Sequence, residues 1–134
     1  MTIFDFTVDG APLSQQAKSK ANLQAWRSRV RTAANAAWPM PRLPFDIGVT
    51  FSVTQFFDGD AGDVDNIIKP IQDALIGLVY LDDSLVMDTS AHKRDLKGAF
   101  RLGGLPPEVA VRLTQALEFV WVRISDEPDY EALS

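Results

Sequence analysis

Residues 46–78 read DIGVTFSVTQFFDGDAGDVDNIIKPIQDALIGL. Within residues 46–57, apolar side chains alternate with small or polar ones, and the apolar positions are Ile47, Val49, Phe51 and Val53. A period of two is typical of a strand with one buried face. The pattern therefore predicts a strand that ends at about residue 57, directly before a run of aspartates.

Residues 66–78 have the periodicity of an amphipathic helix. At about 100° per residue, one side carries the apolar positions Ile67, Ile71, Ala74, Leu75 and Leu78. The opposite side carries Asp65, Lys69 and Asp73. Pro70 falls at about the end of the first turn, where a missing N–H costs least, and Asp65 or Asn66 is predicted as the N-cap. We expect an apolar face against the core and a charged face opposite it.

The flanking segments predict the rest of one α+β domain. Further strand patterns occur at residues 3–8, 85–92 and 118–124, and further helical patterns at residues 23–38 and 106–117. We expect a small mixed sheet of about four strands packed against two to three helices. This domain is predicted to span residues 1–125, followed by a polar, frayed tail at residues 126–134.

Composition excludes several classes of protein. A chain of 134 residues with 46% hydrophobic content suits one domain with a buried core. The chain has no cysteine, so a disulfide framework and a thiolate zinc site are excluded, and its one histidine, His92, cannot form a metal site alone. The opening MTIFDFTVDG lacks the pattern of a secretion signal, and no apolar run is long enough for a membrane span. We expect a soluble, cytoplasmic protein without membrane association.

Charge is unevenly distributed along the chain, although the net charge is −5. Residues 11–45 contain six basic residues and no acidic one, whereas residues 58–88 contain eight aspartates and one lysine. A solvated helix face is the alternative explanation of the basic segment. The separation of basic residues from acidic ones favours a protein that binds a polyanion and presents carboxylates to it. The phosphate-binding candidates are Lys18, Lys20, Arg27, Arg29 and Arg31.

The run DGDAGDVDNIIK at residues 58–69 does not match a calcium-binding loop. Gly62 falls where that loop needs a ligand, Asp63 where it needs glycine, and Lys69 where it needs the closing glutamate. Asp58 and Asp60 are interpreted as turn residues.

The remaining aspartates suit a divalent cation that is harder and smaller than Ca²⁺. Asp63, Asp65 and the Asp82–Asp83 pair all fall at the ends of predicted elements. Carboxylate oxygens bind Mg²⁺ or Mn²⁺, and one or two carboxylates usually suffice for Mg²⁺ when waters and a phosphate complete the shell. A metal site beside a bound phosphate is the resulting hypothesis.

Residues 62–86, GDVDNIIKPIQDALIGLVYLDDSLV, resemble the signature of the RusA-type Holliday junction resolvases. The matching positions are Asp63-Val64-Asp65-Asn66, Lys69, Asp73-Ala74-Leu75, Gly77 and Asp82-Asp83-Ser84. The opening VDGAPLSQQAKSK and the basic helix after it also look like the N-terminal half of this family. The resemblance implies a homodimeric, Mg²⁺-dependent endonuclease that nicks four-way DNA junctions on opposing strands in recombination and repair, with Mn²⁺ as a substitute ion.

The resemblance also implies roles for individual residues. Asp63, Asp65 and Asp83 would be catalytic and hold the metal, and Lys69 would be required for activity. Asn66 and Asp82 would support the site.

A salt bridge from Lys69 to Asp65 or Asp73 at helical spacing is an alternative role for the lysine that does not exclude the first. If it faces a bound phosphate, Lys69 would stabilise the charge that develops on the phosphate or orient the attacking water.

Two features leave the substrate open. The total charge is acidic, and residues 103–117 are an extra segment compared with better-known members. The alternatives are a branched-DNA-binding protein that has lost cleavage and a metal-dependent phosphoesterase acting on a non-DNA substrate. The sequence indicates no protein partner other than a second copy of the chain.

Overall fold

A four-stranded sheet forms the centre of the protein in the computed structural model, which describes residues 3–39, 41–100 and 103–127. Its strands are β1 (Ile3–Asp9), β2 (Val49–Phe57), β3 (Val86–Asp95) and β4 (Phe119–Ser125). The helices are α1 (Lys20–Ala37), α2 (Ile68–Leu75) and α3 (Pro107–Gln115), with 3-10 turns at Val64–Ile67 and Asp83–Leu85. The predicted α+β fold, with a mixed four-stranded sheet and three helices in one small domain, is confirmed.

The strands lie in the order β1-β4-β2-β3. β4 is antiparallel to both β1 and β2, whereas β2 and β3 are parallel. Parallel neighbours need a crossover connection, and α2 supplies it here. The stretch from the end of β2 to the start of β3 is therefore one β–α–β unit. It contains residues 63–84, the positions that carry the family resemblance, which we call the acidic motif.

One face of the sheet packs against α1 and α2 to form the main core. The β1 side chains Phe4, Phe6 and Val8 are buried there, which confirms the predicted alternation. α1 contributes its buried positions Leu23, Trp26, Val30 and Ala34, and α2 contributes Pro70, Ile71, Ala74 and Leu75. The amphipathic faces of both helices are thus oriented by burial, and their charged faces remain toward solvent.

The opposite face of the sheet carries a second, smaller cluster. Phe56 of β2 stacks on Phe119 of β4 with ring centroids 4.4 Å apart, and Val109 of α3 completes this cluster. Period-two alternation explains the arrangement, since Phe119 and Val120 point to opposite faces and both are buried. α3 therefore covers the side of the sheet that α1 and α2 leave open.

The crossover helix is shorter than predicted. A 3-10 turn occupies residues 64–67, and α2 begins only at Ile68. The prediction of Asp65 or Asn66 as the N-cap is wrong, because Ile67 holds that position and no side chain caps the helix. α2 ends at Leu75, where Ile76 becomes extended and Gly77 takes a φ of +83°, a conformation that favours glycine.

Two strand boundaries also differ from the prediction. β2 begins at Val49, and Ile47, predicted on its buried face, is 52% exposed because it precedes the strand. β3 continues to Asp95 instead of ending near His92, since its pairing with β2 extends to the last residue of both strands. His92 is exposed.

The predicted tail lies mostly outside the described residues. Of residues 126–134, the structure describes only Asp126 and Glu127, and the Thr50 hydroxyl donates a hydrogen bond to the Glu127 carbonyl oxygen at 2.5 Å. The division at residue 125 stays a prediction. No helix in the described ranges is long and apolar enough to cross a membrane.

Candidate active site

Lys69 links α2 to the turn that carries Asp83. Its ammonium group lies 2.9 Å from a carboxylate oxygen of Asp83, which is 14 residues further along the chain and precedes β3. The same group lies 2.9 Å from Asp73, one turn later on α2. Both carboxylates raise the pKa of Lys69 through hydrogen bonds, with Asp83 the larger cause. The ammonium therefore stays charged across the physiological range.

The predicted salt bridge of Lys69 is present with Asp73. Asp65, the other predicted partner, is not among the residues in the described ranges that Lys69 contacts. The Lys69 side chain remains 50% exposed although it forms this salt bridge. Lys69 is thus both structurally paired and open to a ligand from solvent.

The structure separates the roles of Asp82 and Asp83. The Asp82 carboxylate accepts hydrogen bonds from the Ser84 hydroxyl at 2.5 Å and from the Ser84 backbone N–H at 3.2 Å. These bonds cap the 3-10 turn at Asp83–Leu85, and the hydroxyl bond is the main cause of a lowered pKa for Asp82. Asp82 therefore shapes the turn, and Asp83 is the member of the pair that faces Lys69.

Asp63 and Asp65 lie on the acidic loop, which we define as residues 58–65. Both side chains are exposed, and in the described part of the chain neither carboxylate is held by a hydrogen bond or ion pair. Asp63 occupies the N-cap position of the 3-10 turn at Val64–Ile67, where its backbone carbonyl accepts from the Asn66 N–H at 3.2 Å. The backbone is thus ordered while both carboxylates remain available.

The first part of the acidic loop is held by local contacts. The Asp60 carboxylate accepts from the Gly62 N–H at 3.1 Å, and Gly59 and Gly62 have positive φ values of 92° and 65°. Asp58 forms an ion pair with Lys97 at 3.8 Å. These contacts match the interpretation of Asp58 and Asp60 as turn residues. They fix the loop ahead of Asp63.

β3 also anchors the loop close to Asp63. The Lys93 ammonium donates to the Gly62 carbonyl oxygen at 3.2 Å. Since Gly62 directly precedes Asp63, this contact ties the position of the first motif aspartate to the sheet.

The five basic candidates do not share one surface. Lys18 and Lys20 are exposed at the start of α1, and in the described residues neither has a hydrogen-bond or ion-pair partner. Arg29 lies on the other side of the helix, where it donates to the Asp9 carbonyl oxygen and stacks over Trp26 at 5.4 Å. The periodicity of α1 explains the split, because nine residues from Lys20 to Arg29 amount to a half-turn beyond two full turns.

Arg31 binds the end of the crossover helix. Its guanidinium donates to the carbonyl oxygens of Ala74 at 3.1 Å and Ile76 at 2.8 Å. The last carbonyls of a helix lack partners within the helix, so a cation there supplies both hydrogen bonds and charge complementarity. Arg31 thus holds α2 against α1.

Replacing Arg31 with glutamine should lower the free energy of unfolding by about 1–2 kcal/mol, because it removes two charge-assisted bonds to carbonyls that then have only water as a partner. Urea denaturation measures this loss. Lys18→Gln is the control for losing one exposed positive charge, since in the described part of the chain the Lys18 side chain has no hydrogen-bond or ion-pair partner. Equal unfolding free energies for wild type and Arg31→Gln would contradict a structural role for Arg31.

Arg27 connects the N-terminal segment to the motif. Its guanidinium lies 3.8 Å from the Asp73 carboxylate and 3.5 Å from the side-chain oxygen of Gln15. The Gln15 backbone N–H in turn donates to the Asn66 carbonyl oxygen at 2.8 Å. Gln15 is therefore fixed beside Asn66, the residue that directly follows the acidic loop, and Lys18 lies three residues after Gln15 in the chain.

Sequence reasoning missed Gln15. Its contact with the site runs through backbone atoms and through a pairing of residues 51 apart, for which the sequence carries no signal. Asn66, predicted as a supporting residue, takes part through its backbone carbonyl and N–H.

The donor chemistry of the site suits a hard divalent cation. Asp63 and Asp65 present carboxylates that have no partner among the residues the structure describes, and carboxylate oxygens are the ligands that Mg²⁺ prefers. Within the described ranges, however, no group of three or more acidic, histidine or cysteine side chains is already placed to hold a metal ion. The Asp83 carboxylate is instead bound by the Lys69 ammonium. The residues fit the ion by type, and the third candidate ligand, Asp83, is paired with a cationic side chain.

Comparison with known proteins identifies the family. The family model described as endodeoxyribonuclease RusA matches residues 10–114, which include the acidic loop, α1, α2 and β3. No curated protein matches the chain significantly. The family match reaches well beyond the motif and into α3.

Proposed function

The chain belongs to the RusA endodeoxyribonuclease family and is a nuclease of that class, and we propose that it resolves four-way DNA junctions by paired, Mg²⁺-dependent nicks in recombination and repair. The proposal places this activity in the cytoplasm, as expected from the cysteine-free sequence. The observation that carries it is the 2.9 Å contact between Lys69 and Asp83. This contact brings Lys69 of α2 beside Asp83, 14 residues further along the motif.

Asp63, Asp65 and Asp83 would hold the Mg²⁺ ion, and Mn²⁺ would substitute for it. When bound, the ion would activate a water and neutralise charge on the phosphodiester. Lys69 is exposed, charged and in contact with Asp83, so it is suited to stabilise charge on the phosphoryl oxygens or to orient the water. Asp82 and Asn66 support the site by shaping the turns that carry Asp83 and Asp65.

Lys18, Lys20, Arg27, Arg29 and Arg31 are the proposed contacts to the DNA backbone. Lys18 and Lys20 carry most of this proposal, because both are exposed and Gln15, three residues before Lys18, is bonded to Asn66 next to the acidic loop. Arg27, Arg29 and Arg31 already bind protein groups, so their phosphate contacts would have to be made with the remaining N–H donors.

Replacing Lys18 and Lys20 together with glutamine should flatten the salt dependence of junction binding. Each lost phosphate contact removes about 0.9 from the slope of log K against log salt, so the double variant should lose about 1.8. Fluorescence anisotropy over a salt series measures the slope. Arg94→Gln with Arg123→Gln is the matched control, because it also removes two exposed positive charges but on the side of the sheet that α3 covers, beside Leu105 and Trp121. A slope equal to that of wild type would remove Lys18 and Lys20 from the DNA surface.

A homodimer is part of the proposal. A four-way junction has two-fold symmetry at the points to be cut, and a two-fold dimer is the simplest way for a small protein to present two equivalent sites. We expect sedimentation to give twice the 14.8 kDa chain mass at assay concentrations. A monomer that still cut both strands in one binding event would contradict the dimer.

A gel assay with labelled four-way junction, flap and duplex DNA, with and without Mg²⁺, tests the function directly. The proposal expects paired nicks in the junction only when Mg²⁺ is present. Junction binding without nicking in any metal would instead identify a binding protein that has lost cleavage. Hydrolysis of a generic phosphoester that junction DNA does not inhibit would identify a phosphoesterase with another substrate.

A further inference from the structure

Asp73 is a charged residue on α2 to which the proposed chemistry assigns no role. One of its carboxylate oxygens lies 2.9 Å from the Lys69 ammonium, and the other lies 3.8 Å from the Arg27 guanidinium. Its side chain is only 27% exposed, compared with 41% for Asp83. Asp73 is thus the better-anchored of the two carboxylates that share Lys69.

Lys69 and a metal ion would compete for Asp83. The Asp83 oxygen that accepts from Lys69 at 2.9 Å cannot give the same lone pair to a cation, and two positive charges at that distance repel each other. Asp83 can give this oxygen to a metal ion only if Lys69 moves away, and its other oxygen would bind the ion against the charge of the nearby ammonium. Asp73 offers the lysine an equivalent partner at the same 2.9 Å distance, one helical turn away.

We propose that Asp73 is a positioning residue that retains Lys69 when Asp83 turns to the metal, and thereby keeps the lysine at the site while freeing the ligand. The inference rests on the proposed function. Arg27 lies 3.8 Å from the Asp73 oxygen that does not face Lys69, and the Arg27 guanidinium is itself held by the Gln15 side-chain oxygen at 3.5 Å. Each exposed ion pair contributes little to the free energy of unfolding, so a shift of Lys69 from one such partner to the other should change stability only slightly.

Binding of Mn²⁺ to the whole protein without DNA, followed by electron paramagnetic resonance, tests this role apart from cleavage. Asp73→Asn should raise the Mn²⁺ Kd about two- to five-fold, because Lys69 then has only Asp83 as a full charge partner. Lys69→Gln should lower the Kd by a similar factor, because the competing ammonium is gone. In the Lys69→Gln background, Asp73→Asn should change the Kd by less than about two-fold, since the residue acts through the lysine.

Two further variants separate positioning from general charge. Asp73→Glu keeps the carboxylate and should restore a Kd close to that of wild type. Asp58→Asn removes one negative charge from the acidic loop without a contact to Lys69, and should leave the Kd unchanged within about two-fold. Urea denaturation of each variant identifies any effect that arises from unfolding.

The outcomes distinguish this inference from the function on which it rests. If neither wild type nor Lys69→Gln binds Mn²⁺, the carboxylates are not a metal site and the proposed metal dependence fails. If wild type binds Mn²⁺ and Asp73→Asn binds it equally well, the function stands and the role of Asp73 is wrong. An Asp73→Asn effect that is as large without Lys69 as with it would also overturn the inference, because the charge would then act on the ion directly.

Discussion

Replacing Asp83 with asparagine should reduce cleavage of a four-way junction by at least about 100-fold. Loss of a residue that only supports a metal ligand typically costs 10–100-fold, so loss of the ligand itself should cost no less. The same result is expected for Asp63→Asn and Asp65→Asn, which keep the shape of the side chain and remove a charge that the metal needs. Single-turnover cleavage in Mg²⁺, measured with labelled junction DNA, gives the rate.

Junction binding without metal should not fall in these three variants. Each aspartate repels the DNA phosphates when no cation is present, so removing its charge relieves repulsion. Binding in EDTA, measured by anisotropy, should therefore equal or exceed that of wild type. A parallel loss of binding and cleavage would indicate a damaged fold.

Asp82→Asn is a matched control, because asparagine keeps the side-chain oxygen that accepts from Ser84 and caps the turn. Its activity should stay within a few-fold of wild type, as should those of Asp58→Asn and Asp60→Asn. If Asp83→Asn were active and Asp82→Asn inactive, the proposed metal ligand would be Asp82 and not Asp83. Normal cleavage by all three ligand variants would end the metal–carboxylate mechanism.

Replacing Lys69 with glutamine should reduce cleavage by about 10²–10³-fold, the usual cost of removing a group that stabilises transition-state charge. The loss should occur although the same change is expected to tighten Mn²⁺ binding, because the ammonium competes with the metal for Asp83 in the free protein. A variant that binds metal better and cuts DNA worse cannot be explained by a metal site that has collapsed. Single-turnover rates and Mn²⁺ titration of the same preparation give both values.

Stability provides the control for Lys69. Its two ion pairs are partly exposed, at 50% for the lysine side chain, so their loss should cost no more than about 1 kcal/mol of unfolding free energy. If Lys69→Gln kept its activity within a few-fold and lost only this stability, the lysine would have the purely structural role that its helical spacing to Asp73 allows.

The arrangement of strands and helices was largely predictable from local patterns. The alternation in β1, β2 and β4 and the apolar stripe of α1 reflect burial of one face, which acts on every second or every third to fourth residue and is therefore written in the sequence. Element ends were less predictable. α2 starts later than predicted because residues 64–67 form a 3-10 turn, whose last residue, Ile67, packs into the core.

The candidate site was predictable by residue type and motif spacing. A carboxylate suits a hard cation in any position, so Asp63, Asp65 and the Asp82–Asp83 pair were ligand candidates by residue type, whereas the choice of Asp83 within the pair came from the family resemblance. The i,i+4 spacing of Lys69 and Asp73 likewise indicated their salt bridge, since that contact lies within one helix.

Only the tertiary structure decided which partner each charged residue has across the chain. Asp82 and Asp83 are adjacent and chemically identical, yet the first caps a turn and the second meets Lys69, because the crossover helix lies on one side of that turn. Arg31 binds carbonyl oxygens 43 and 45 residues away. Such contacts depend on how α1 packs on α2, a relation that no local periodicity contains, and they therefore emerged only from the folded chain.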